Sequence, residues 1–125
     1  MRKEKLIEIV AEIACGHSGK PERLYELTKA SIKTGVTAIK YQIFAVDERS
    51  EPNTKEFNIF SKHYLDSNYY REAIQIAREG GLKVYSDVYG EYSLNQAQKL
   101  KVDGVKVHAE DSNNYKLIND CLKKF

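Results

Sequence analysis

Apolar residues recur along this chain in two rhythms. Leu6 to Ala14 is almost continuously apolar and rich in β-branched side chains, the pattern of a strand in a parallel sheet covered on both faces. After the turn ACGHSGKP, Pro21 suits the first turn of a helix. Leu24, Leu27, Ser31 and Thr34 then fall at helical spacing, and Gly35 is placed to end the helix. VTAIKYQIF predicts a second strand, and a long loop from Ala45 to Asp66 follows it. SNYYREAIQIAREGG predicts a helix with Tyr70, Ala73, Ile74 and Ala77 on one face, stopped by Gly80 and Gly81. LKVYSDV reads as a third strand, and SLNQAQKL as a short helix with Leu94, Ala97 and Leu100 in line. DGVKVHAE reads as a fourth strand and Asn114 to Lys124 as a last helix.

The predicted order is βαβαβαβα in one domain over residues 1–125. Such alternation means an α/β fold with a parallel sheet and right-handed crossovers. The candidates are a doubly wound sheet and half of a TIM (β/α)8 barrel. A glycine-containing turn opens the second, third and fourth strands (TGVTAIK, GGLKVYS, DGVKVHA), a loose internal echo.

Side-chain alternation puts Lys40 and Gln42 on one face of the second strand and Ile39, Tyr41 and Ile43 on the other. In the fourth strand Lys106 and His108 share a face opposite Val105 and Val107, and Glu12 falls near the C-terminal end of the first. A buried lysine in a central strand is costly unless an anion or carboxylate meets it. In a barrel such faces converge on the C-terminal mouth, where active sites sit. Two readings follow. Either the lysines reach solvent or pair structurally with Glu12 and Asp111, or two strand lysines and a carboxylate form an anion site. The second is favoured because equivalent lysines recur on two strands. Asp87, Glu110 and Asp111 also lie at strand ends.

Composition narrows the class. With 125 residues the chain has enough material for one core. A net charge of +2, with basic residues scattered among acidic ones, gives no argument for nucleic acid. Cys15 and Cys121 lie far apart and read as reduced thiols of a cytoplasmic protein. The start, MRKEKLIEIVAEIAC, has the outline of a leader, but Glu8 and Glu12 interrupt its apolar stretch, and no other run approaches transmembrane length. His17, His63 and His108 all fall at or after strand ends. With Glu12 or Asp87 they are possible metal ligands, so His17, His108 and Asp87 are carried as a minor metal option without a diagnostic spacing. There is no serine nucleophile elbow, no CxxC pair and no dinucleotide turn. ACGHSGKP is not a Walker loop either. Its two glycines are too close, and Pro21 follows Lys20 where a Ser or Thr is needed.

Four stretches, IVAEIACGHSG, GVTAIKYQIF, GLKVYSDVY and VDGVKVHAEDSNNYKLI, resemble in order and spacing the sialic acid (N-acetylneuraminate) synthase family and its pseudaminic and legionaminic relatives. The resemblance implies a (β/α)8 barrel that condenses phosphoenolpyruvate with an open-chain N-acyl amino sugar, and a divalent metal, Mn2+ or Mg2+, that polarises the sugar aldehyde. It implies that Lys40 and Lys106 hold the phosphate and carboxylate of phosphoenolpyruvate. Gln42 would meet sugar or water, and Glu12 would contact the sugar or assist proton transfer. Asp111 stands where the family has Glu and is a second catalytic candidate. Ser86 and Asn113 join the substrate-binding set.

Several positions depart from the family pattern. Gly16 replaces Asn, Ala109 replaces Ser, and Asp87 replaces a Thr. An aspartate there repels a triply charged ligand unless it is protonated or metal-bound. A full barrel takes about 250 residues, and these four βα units would make half of one, to be completed by a second copy, a second half-barrel chain or a continuation. Three expectations stand: a diverged or partial synthase, a non-catalytic half-barrel binding or assembly module, and a metal-dependent sugar isomerase or aldolase of the barrel class.

Overall fold

The computed structural model describes residues 7–125. Leu6, the predicted first residue of the first strand, and the basic start of the leader-like segment lie outside the described residues. The elements run β1 (Val10–Ala14), α1 (Pro21–Lys33), β2 (Ala38–Gln42), α2 (Val46–Arg49), α3 (Lys55–His63), α4 (Ser67–Glu79), β3 (Lys83–Val88), α5 (Glu91–Lys99), β4 (Gly104–Val107), a 3-10 turn (Ala109–Asp111) and α6 (Tyr115–Lys124). The four strands form one parallel sheet in the order β1-β2-β3-β4, as successive βα units of a barrel wall do.

One face of the sheet carries the core. Ile39, Tyr41 and Ile43 alternate outward from β2 and meet Leu24 of α1, Tyr70, Ala73 and Ile74 of α4, and Val84 and Val88 of β3. The Tyr41 hydroxyl is satisfied at 2.9 Å by Thr28, the buried α1 residue that takes the place predicted for the apolar stripe; Thr34 is exposed. The strand predicted to be covered on both faces is not: Ile7, Ile9 and Val10 are exposed. β1 lies at an outer position of the sheet, so no neighbouring strand lies against its far side among the described residues.

The predicted long loop instead holds α2 and α3. Thr54 starts α3, its hydroxyl accepting the Phe57 N–H at 3.1 Å. α2 is a single turn with two tertiary tasks. Its Glu48 carboxylate accepts the Tyr92 N–H at 2.7 Å and the Ser93 N–H at 3.1 Å, capping α5, whose own N-cap Gly90 has no side chain. Its Arg49 turns to the strand ends.

The glycine echo is physical at two of its three places. Gly35 and Gly81 take φ of +80° and +83° between helix and strand. Gly104 instead leaves room for the Tyr85 ring, which a Cβ would approach to 3.1 Å.

Candidate functional site

The other face of the sheet carries polar side chains, placed there by strand alternation. Register sets Glu12 beside Lys40 and Tyr85, and Gln42 beside Asp87 and Lys106. Lys40, 7% exposed, lies between two carboxylates: its Nζ is 3.1 Å from Glu12 Oε1 and 3.1 Å from Asp87 Oδ1. Burial works against the ammonium charge, but the carboxylates of Asp87 and Glu12 outweigh it and hold the Lys40 pKa above the ordinary lysine value. The two carboxylates differ in freedom. The Asp87 side chain is sealed, whereas that of Glu12 is 50% exposed.

The pairing continues upward. Gln42 Nε2 donates to Asp87 Oδ2 at 3.0 Å, and Gln42 Oε1 accepts from Arg49 Nη1 at 3.3 Å. The Cys15 thiol approaches the same Oε1 at 3.7 Å. Arg49 is held by three aromatic faces, with Cζ 4.0 Å from the Phe60 centroid, 4.6 Å from Tyr89 and 5.0 Å from Phe44. The buried Tyr89 hydroxyl has no hydrogen-bond partner among the described residues. Burial pushes the Tyr89 and Cys15 pKa values up. Both groups are therefore protonated at neutral pH.

The residues singled out from sequence divide. Glu12, Lys40, Gln42 and Asp87 come together. Lys106 shares their face but is exposed and forms no ion pair among the described residues, so the two strand lysines are not equivalent. Ser86, expected among the substrate-binding residues, is fully buried on the helix side in register with Tyr41 and Val105, and its hydroxyl donates to the Asp87 carbonyl. Period-two alternation keeps it from the face that Asp87 occupies. Asp111 and Asn113 lie past β4. Asp111 lines a cleft of about 420 Å³ with Arg49, Tyr89 and His108, and Asn113 is exposed. Neither contacts Lys40.

The possible metal ligands do not converge. His17 is fully buried, its Nδ1 accepting from the Gly19 N–H at 3.1 Å. The ring proton therefore sits on Nε2, 3.1 Å from the Tyr70 hydroxyl, which donates to the Gln42 carbonyl at 3.1 Å. With both nitrogens engaged, burial and then the nearby His63 lower the His17 pKa to about 4. His108 packs on the Tyr89 ring, and Asp87 is committed to Lys40 and Gln42. Among the described residues no three His, Cys, Asp or Glu side chains gather to hold a metal. These residues therefore do not by themselves make a ligand set for the divalent ion implied by the resemblance. Among the same residues no helix is long and apolar enough to cross a membrane.

Arg49 and Tyr89 were missed from sequence. Arg49 falls in an apparent loop without periodicity, and only the folded chain brings it to Gln42.

Residues 27–125 match the NeuB family. No curated protein matches the sequence. The fold is similar to that of an N-acetylneuraminic acid (sialic acid) synthetase from Leptospira borgpetersenii serovar Hardjo-bovis, solved with citrate: TM-score 0.83, 16% identity, 94% of this chain and 44% of that one. It is similar to a spore coat polysaccharide biosynthesis protein E from Chromobacterium violaceum, with TM-score 0.75, 16% identity, 88% of this chain and 36% of that one. For the spore coat polysaccharide biosynthesis protein of Bacillus subtilis the values are 0.66, 23%, 84% and 30%. The chain thus spans less than half the length of each of these structures.

Proposed function

The chain belongs to the NeuB family, and on that premise we propose that it is a sialic acid synthase-like protein of carbohydrate biosynthesis that takes phosphoenolpyruvate and an N-acyl amino sugar at the polar face of its sheet. The observation that carries this reading is Lys40, a buried strand lysine held between Glu12 and Asp87. In the proposed reaction carbon 3 of phosphoenolpyruvate bonds to the aldehyde carbon of the sugar, and the aldehyde oxygen takes a proton. Water adds at carbon 2 and gives up both protons, one balancing that taken by the aldehyde oxygen and one going to the phosphate, which leaves with the electrons of its C–O bond as the carbon 2 carbonyl forms.

The chain's own residues take these parts. Lys40 and Lys106 hold the anionic groups of phosphoenolpyruvate, and Gln42 meets sugar or water. Glu12 assists proton transfer, and Asp111 and Asn113 face the ligand from the β4 side. Ser86, sealed on the helix side, takes no part. Lys40 must exchange a carboxylate for the incoming anion. Half-exposed Glu12 is the one able to leave, because an unpaired buried Asp87 costs several kcal/mol, of order 3–5. The partner in this reading is a second copy or a second half-barrel chain, set against the outer strands β1 and β4.

A second reading, a binding module without turnover, is favoured by the same triad: the Lys40 charge is already met from within, and the sealed Asp87 opposes a phosphate. Calorimetric titration with phosphoenolpyruvate and an N-acetylated hexosamine, with Mn2+ present, and an assay of released phosphate separate the two. The expected outcome is phosphoenolpyruvate binding that falls at least about tenfold in Lys40→Met, tightens in Asp87→Asn, and is followed by Lys40-dependent phosphate release. Binding without release leaves only the module. No heat from either ligand ends both readings.

A further inference from the structure

Two carboxylates, Glu12 and Asp87, share the one Lys40 ammonium. Half-exposed Glu12 is met by solvent as well, but the sealed Asp87 is left with only a share of one ammonium, a state the interior penalises. Lys106 stands in register with Asp87 but is exposed and forms no ion pair among the described residues. A further cation, Arg49, reaches the cluster through Gln42 and has no carboxylate partner among the described residues; its helix neighbour Glu48 is spent on the α5 amides. The Phe44, Phe60 and Tyr89 rings stop the long side chain from swinging to solvent. Its Nη1 meets Gln42 Oε1, and Gln42 Nε2 meets Asp87 Oδ2.

We propose that Arg49 is a positioning residue for the Lys40 cluster: it fixes the Gln42 carboxamide with its oxygen toward the guanidinium and its amine toward Asp87, and so passes its charge to Asp87 through one amide. The reversed amide would put Oε1 against a carboxylate and the NH2 against a guanidinium, two repulsions in place of two charge-assisted hydrogen bonds. Arg49 and Asp87 thus select one orientation from opposite ends, and Arg49 leaves Lys40 free to divide itself between Asp87 and Glu12. A lysine at this place supplies the charge but not a planar group that stacks on three rings while donating sideways. As a positioning role this rests on the Lys40 cluster being the working site.

The test needs no turnover. Proton exchange of the Gln42 side-chain amide and the Lys40 ammonium signal are followed by 15N NMR in the wild type, Arg49→Lys, Arg49→Met and Phe60→Leu. In the wild type the Gln42 amide protons are expected to exchange at least about tenfold more slowly than those of a free glutamine side chain. Arg49→Met brings them to the free rate and broadens the Lys40 signal, Arg49→Lys restores part of the protection, and Phe60→Leu falls between. Wild-type exchange at the free rate overturns the proposal whether or not any variant folds. So does unchanged exchange in an Arg49→Met protein of wild-type circular dichroism. Neither readout involves phosphoenolpyruvate, so protection seen without ligand binding removes the functional reading alone, and binding seen without protection removes the positioning role alone.

Discussion

His17 has spent both ring nitrogens inside the fold, and this makes it a pH-dependent element of stability. Its pKa of about 4 in the folded chain lies below the ordinary value of about 6.5 that the unfolded chain retains. Above pH 6.5 both states carry the neutral ring and the full contribution is present. As pH falls from about 6.5 to about 4, the unfolded state takes up a proton the folded state refuses, and stability drains away. The loss from this residue is about 3 kcal/mol across that window. Urea unfolding at pH 7, 5.5 and 4 is expected to show it, with a shallower fall in His17→Gln; identical slopes in the two proteins would place the titration elsewhere. The sequence shows a histidine after a strand end, but it does not show that Gly19 and Tyr70 close on the two nitrogens from different elements. The face shared by Lys40 and Gln42 was legible because alternation within one strand is local. Asp87's pairing with Lys40 was not, since it depends on the register of β2 against β3. The resemblance puts Ser86 among the substrate-binding residues, whereas alternation alone sends it to the helix side.

At the scale of elements, strands and long helices announce themselves by period, while the connection between β2 and α4 does not. α2 is too short for a periodic signal, and α3 betrays itself only by Thr54 at its start. Yet this connection ties the second βα unit to the third, through Glu48 on the first turn of α5 and Arg49 on Gln42. Because Gly90 brings no side chain to its own helix, the cap from Glu48 answers two part-buried N–H groups of its first turn. Glu48→Ala is expected to lower stability by about 1–2 kcal/mol, the range of lost helix caps. Glu48→Gln, which keeps one acceptor but loses the charge at the helix terminus, recovers part of this. Chemical denaturation measures both, and a Glu48→Ala midpoint equal to the wild type would show that solvent caps α5 unaided.

For the whole molecule, the parallel order β1-β2-β3-β4 leaves strands at both outer positions, and each is flanked by exposed apolar side chains. Ile7, Ile9 and Val10 lie on the β1 side. On the β4 side, Val105, Val107, Ile118, Cys121, Leu122 and Phe125 line a groove of about 350 Å³, with Leu122 75% exposed. A strand edge with unpaired amides beside bare apolar surface is a template for another strand, and a barrel wall answers it with the next βα unit. Exposed apolar surface of this kind draws chains together, and mass action makes the association grow with concentration. Sedimentation of the chain across a dilution series is therefore expected to show association, weakened in a Leu122→Glu, Phe125→Ser double variant whose circular dichroism matches the wild type. The charged replacement at Leu122 is the sharper probe, because a carboxylate buried against Val105 and Val107 of an apolar seam would lack a partner. A wild-type chain that stays monomeric throughout the series would mean that this groove is not a seam for copies of the chain. The proposed partner on the β4 side would then be a second, different half-barrel chain.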